Sequence, residues 1–109
     1  MKIWVDDLMD QVGSNRKTPE GYVGAHSVNE AIRLIEKAEH DGETVEVLDL
    51  DHDLGDYVND GGDAIKLLDY LAENEKYYPI KIHTSNPVGR KNMMNAVNRF
   101  WPEELHIYY

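Results

Sequence analysis

The sequence has no cysteine, a single phenylalanine and only four prolines in 109 residues. Without thiols there are no disulfides, no Cys-ligated zinc and no thiol nucleophile, so the fold must rest on a packed core. At 41% hydrophobic residues, the composition supplies one. Positive charge is scarce as well: 11 Lys plus Arg stand against 21 Asp plus Glu, a formal net charge of −10. That balance repels nucleic-acid phosphates and anionic lipid headgroups, which argues against general nucleic-acid binding and against a membrane-surface role. It leaves room for a small phosphorylated ligand wherever a metal ion or a helix N-terminus supplies local positive potential. No run approaches the roughly 20 apolar residues of a membrane span. Asp6 and Asp7 break the first apolar run too early for a signal-peptide core, so the expected location is the cytoplasm. The length is that of one domain, expected over residues 1–109.

What is present alternates between short apolar runs and helical periods. Residues 3–5 form an apolar run that ends in Asp6 and Asp7, the pattern of a buried strand with acids at its carboxyl end. Residues 9–21, with Gly13, Ser14, Asn15, Pro19 and Gly21, read as a loop. A second strand is expected over 22–25, followed by Ser27 and Glu30 at capping-box spacing. The helix they open carries Ala31, Ile32, Leu34, Ile35 and Ala38 on one face and stops at Asp41 and Gly42. Residues 45–50 read as the central strand, closed by Asp51, His52 and Asp53. A second helix follows from Ala64, Ile65, Leu67, Leu68, Leu71 and Ala72, and a fourth strand over 80–84. Met93, Met94, Ala96, Val97 and Phe100 mark a third helix, and residues 105–109 are expected to close the sheet as a fifth strand. Such alternation predicts a parallel sheet with ligands at the carboxyl ends of its strands.

Three groups then converge on one rim. Asp6, Asp7 and Asp51, with Asp53 nearby, form an acid set suited to a hard divalent ion such as Mg²⁺ or Mn²⁺. Thr84, Ser85 and Asn86, followed by Gly89 and Arg90 in a helix's first turn, suit a phosphate, although Asn86 would also serve as a plain N-cap. His52 between two acids, and His83 inside the fourth strand, are candidates for proton transfer. Asp49 shares the Asp51 face but lies deeper, and reads as a buried, hydrogen-bonded structural acid. The aromatic residues Trp4, Trp101, Tyr77, Tyr78, Tyr108 and Tyr109 could stack a base, but most read as packing groups.

The blocks MKIWVDD, LDLDHDLGD and KIHTSNPVGRKNM, in that order, resemble the cyclic-phosphate processing receiver-like family, a diverged relative of response-regulator receivers. The resemblance implies a flavodoxin-like, three-layer α/β fold with a five-stranded parallel sheet in the order 2-1-3-4-5, and the loop at 9–21 implies a reduced first helix. It matches Asp6 and Asp7 to the receiver acid pair, Asp51 to the phosphate-accepting position, and Thr84 or Ser85 to the hydroxyl ending the fourth strand. No Lys stands in the last block, WPEELHIYY, where receivers carry one, so ordinary phosphorelay signalling is not expected. His52 and Asp53, with His83 and Asn86, look like a rebuilt phosphate site. The tripeptide His83-Thr84-Ser85 also resembles the His-x-Ser/Thr motif of two-histidine phosphoesterases, which need two copies where this chain has one.

The expected function is metal-dependent processing of a cyclic phosphate on a nucleotide or sugar. Asp6, Asp7 and Asp51 would hold the ion, His52, Asp51, Asp53 and His83 would serve catalysis, and residues 84–86 with Gly89 and Arg90 would hold phosphate. Two alternatives stand beside it. One is a pseudo-receiver that binds a phosphorylated ligand or a protein partner without turnover; the other is an acidic mimic that engages a basic partner through charge alone.

Overall fold

The computed structural model describes residues 1–7 and 17–108. The sheet is built from β1 (Lys2–Val5), β2 (Tyr22–Ala25), β3 (Val47–Leu50) and β4 (Ile80–Ile82), all parallel, in the spatial order β2-β1-β3-β4. Helices α1 (Val28–His40), α2 (Ala64–Glu73) and α3 (Pro87–Phe100) follow β2, β3 and β4. Both complete crossovers, β2-α1-β3 and β3-α2-β4, step the same way across the sheet. Right-handed connection therefore lays their helices on one face. The three helices pack in sequence there, α1 on α2 and α2 on α3. Among the described residues this makes one sheet and one helix layer. None of these helices is long and apolar enough to cross a membrane.

The strand register explains which face the helices take. Ile3, Leu48 and Ile80 align across β1, β3 and β4, as do Val5 with Leu50 and Leu50 with Ile82. Ile3, Val5, Leu48, Leu50 and Ile80 are fully buried. Each such side chain contributes about 1.5–3 kcal/mol by leaving water. Against them α2 buries Ala64, Leu67, Leu68 and Leu71, the i, i+3, i+4, i+7 stripe visible in the sequence. α1 adds Val28, Ala31, Ile35 and Ala38, and α3 adds Met93 and Val97. The alternate strand positions, Trp4, Asp49 and Lys81 among them, point to the opposite face.

Local chemistry sets the helix ends. Ser27 Oγ accepts from Glu30 N at 3.1 Å, and the Glu30 carboxylate accepts from His26 N, one residue upstream of the usual capping-box partner. At the other end Gly42, at φ +72°, lets Gly42 N donate to Glu39 O and Glu43 N to Ala38 O, a Schellman closure. This is where Asp41 and Gly42 predicted the stop.

The expected fifth strand is not formed. Glu103–Tyr108 winds as a 3₁₀ segment that packs beside β4, where a fifth strand would have stood, so among the described residues the order is 2-1-3-4 and the sheet has four strands. Residues 105–109 look strand-like in composition, but Leu105 N bonds back to Pro102 O, and the His106 ring nitrogen Nε2 lies 2.8 Å from Trp101 O. These short-range bonds turn the backbone away from the ladder. Tyr109, and most of the loop expected at 9–21, lie outside the described residues.

Glu39 of α1 accepts hydrogen bonds from Lys76 Nζ and Tyr78 Oη, tying the helix layer to the segment entering β4. The Lys76 hydrogen bond, aided by that of Tyr78, holds the Glu39 carboxyl below its ordinary range. Burial, then the hydrogen bond to Glu39, pushes the Tyr78 phenol from 10.0 up to about 12. A raised folded-state pKa means a contribution that is complete below pH 10 and lost as pH rises through about 12. Urea unfolding of the parent and Tyr78→Phe should therefore differ most near neutral pH and converge as pH approaches 12. A constant difference across that window would assign Tyr78 a packing role only.

Candidate functional site

The ladder does not stop at the strand ends. Asp6 N donates to Ala25 O at 3.0 Å, Asp51 N to Val5 O at 2.9 Å and His83 N to Leu50 O at 2.9 Å. Because Val5 and Leu50, and Leu50 and Ile82, are in register, the next residues Asp6, Asp51 and His83 sit side by side on three adjacent strands. They share the face opposite the helices. One donor atom from each lies within 4.8 Å of the others, with Asp6 at 1% and Asp51 at 7% exposure.

His83 is fixed from two further directions. Its Nδ1 is 2.7 Å from Asp49 Oδ1; the carboxylate can only accept, so Nδ1 donates. Nε2 is turned to Asp6 Oδ2 at 3.3 Å. Trp4 stacks on the imidazole with 3.7 Å between ring centroids and 5° between planes. Asp49 is thus the hydrogen-bonded acid expected, but its partner is a site histidine. The sequence alone reads Asp49 as structural and Trp4 as a packing or base-stacking ring, with neither at a metal or catalytic position. The available signal was parity: Trp4 and Asp49 stand two residues before Asp6 and Asp51, on the same sheet face.

A second group forms on the helix side of the rim. His52 Nδ1 donates to Asp53 Oδ1 at 2.8 Å, and Asn86 Nδ2 donates to the same carboxylate at 3.1 and 3.3 Å. The His52 hydrogen bond, with that of Asn86, holds the Asp53 carboxyl below its ordinary range against a smaller opposing effect of burial. Asp63 joins them: it offers an oxygen within 4.8 Å of His52 and Asp53 ligand atoms, and its Oδ1 accepts from Leu54 N.

Asn86 is the N-cap of α3, its Oδ1 accepting from Gly89 N at 3.0 Å, so the plain capping role is present. Thr84 Oγ1 accepts from Asn86 N and fixes the turn into the helix, while Ser85 is exposed beside it. Arg90 donates one guanidinium N–H to Ile82 O at 3.1 Å, anchoring the group at the β4–α3 junction with further donors in hand. Asp7 faces Gly55, whose φ of +53° and missing Cβ give the carboxylate its room. It lies on the same rim but outside the Asp6, Asp51 and His83 group. The rim thus brings Asp6, Asp51 and His83 together, and separately His52, Asp53 and Asn86.

Gly89 joins the helix to the second group. A Cβ there would lie 2.5 Å from His52 Cγ and 2.8 Å from its Nδ1, so the imidazole rests directly on the helix backbone. Glycine to alanine in a helix ordinarily stabilises by about 0.5–1 kcal/mol. Here Gly89→Ala should destabilise in the parent and stabilise in a His52→Ala background, a coupling of about 1 kcal/mol or more by chemical denaturation. Additive effects would show that the ring is not held on Gly89.

The family model described as the cyclic-phosphate processing receiver domain matches residues 1–99. No curated protein and no solved structure matches the chain. The match covers the β1 acids, the β3 acids with His52, and the β4–α3 junction, the segments from which the rim is built. The chain belongs to the family of cyclic-phosphate processing receiver domains.

Proposed function

We propose that this domain is a metal-dependent phosphoesterase that opens the ring of a cyclic phosphate on a nucleotide or sugar. The observation that carries the reading is the meeting of Asp6, Asp51 and His83 donor atoms within 4.8 Å, on the same rim as the start of α3. Two carboxylates and an imidazole are a donor set that fits a divalent cation. When bound, Mg²⁺ or Mn²⁺ would supply positive charge to the phosphoryl oxygens. Asp7, on the Gly55 side of the rim, completes the acid set of the receiver pattern.

The chain's own residues supply the rest. In ring opening, a water oxygen forms a bond to phosphorus and gives up a proton while one ring P–O bond breaks, and the departing oxygen takes up a proton in its place, giving a phosphomonoester. His52 is oriented for that transfer. Asp53 holds its Nδ1, which leaves Nε2 as the atom that exchanges a proton with substrate. Ser85, Arg90 and the first turn of α3 would hold the phosphate oxygens. Asn86 acts through its cap on Gly89 and its bond to Asp53.

Incubation with a panel of 2′,3′- and 3′,5′-cyclic nucleotides and cyclic sugar phosphates, with Mg²⁺ or Mn²⁺, followed by ³¹P NMR, tests this directly. At least one member should convert to a phosphomonoester. His52→Gln should slow conversion by about 10²–10⁴-fold with ligand affinity retained. Binding without conversion by the parent would make the domain a pseudo-receiver. Binding of neither ion nor ligand would leave only its acidic surface.

A further inference from the structure

His83 stands one residue past the end of β4 and reads from the sequence as a candidate for proton transfer, but its surroundings suit another task. Asp49 accepts the hydrogen bond of Nδ1–H, and Trp4 fixes the ring plane, so Nε2 has one direction in which to point. That direction is the space shared by Asp6 and Asp51. The carboxylate–imidazole pairing of Asp49 and His83 is the arrangement that orients a metal-ligating histidine. Nε2 lies 3.3 Å from Asp6 Oδ2, close enough that the two atoms could serve one ion. His52 also has a carboxylate partner, Asp53, but its ring rests on Gly89 on the helix side, away from the Asp6 and Asp51 oxygens.

We infer that His83 Nε2 is a nitrogen ligand of the cation held by Asp6 and Asp51, with Asp49 as its positioning residue, so that the site selects Mn²⁺ over Mg²⁺. The inference rests on the reading that this rim holds a divalent ion. It goes further by naming the ion class, because imidazole nitrogen favours first-row transition ions whereas Mg²⁺ favours oxygen. Trp4 and Asp49 thereby become parts of the metal centre, although neither touches the ion.

The test needs no turnover. Mn²⁺ and Mg²⁺ affinities are measured by calorimetry on the parent, His83→Gln, Asp49→Asn and Asp51→Asn, and electron spin-echo modulation is recorded on the Mn²⁺-loaded parent. The parent should bind Mn²⁺ at least about tenfold more tightly than Mg²⁺, and show the ¹⁴N modulation of one coordinated imidazole. Asp49→Asn should weaken Mn²⁺ binding by about 10–100-fold and leave Mg²⁺ binding nearly unchanged. His83→Gln should remove the ¹⁴N signal and most of the Mn²⁺ preference. Because the spectrum is read on the parent, a variant that folds poorly does not decide the matter. If Mn²⁺ binds and is lost in Asp51→Asn but no ¹⁴N modulation is seen, or the signal persists in His83→Gln, His83 is not a ligand and the cation site survives without it. If the parent binds neither ion, the cation reading and the inference fall together.

Discussion

The rim depends on one constraint: the register of three parallel strands, carried one residue past their ends. The bonds from Asp51 N to Val5 O and from His83 N to Leu50 O keep the ladder closed where the apolar runs have already given way to polar residues. A slip of one residue in β1 or β4 would turn Asp6 or His83 to the helix side and bring an apolar side chain to the open face. That slip is opposed by the fully buried Ile3, Leu48 and Ile80, which align on the same strands. Packing under the helices and placement of the donors are therefore a single choice of register.

The two sheet faces divide the work. Under the helices the alternate positions are apolar and pack α1, α2 and α3; on the other face Trp4, Asp49 and His83 form a hydrogen-bonded, stacked group. The rim lies between them. Asp51 and His52 are consecutive, so the alternation of a strand sends one toward Asp6 and His83 and the other toward Gly89 and α3. A ligand at this edge would meet an acid–imidazole group from one side and a helix start from the other.

Much of this was legible in the sequence because it follows from period. Strands ending in Asp6 and Asp51, the stripe Ala64, Leu67, Leu68, Leu71, and the stops at Asp41 and Gly42 all appear where short-range chemistry put them. The carboxyl-terminal segment was misread because β-branched and aromatic residues favour a strand only when a ladder is offered. The Pro102 and Trp101 carbonyls captured that segment first. The Asp49–His83 bond joins residues 34 positions apart and needed the strand order before it could be seen. Gly89 was placed in a helix's first turn, but its role as the seat of the His52 ring is a tertiary contact that no spacing announces.

The central claim is that cation and phosphate meet at this rim, and relaxation of the ligand phosphorus by bound Mn²⁺ tests it most directly. With the protein present, substoichiometric Mn²⁺ should sharply accelerate ³¹P relaxation of a bound cyclic nucleotide, and Asp51→Asn should abolish the effect. A cyclic nucleotide that binds while its phosphorus relaxes as it does without Mn²⁺, in a protein shown to hold the ion, would place the two in separate sites and contradict the account.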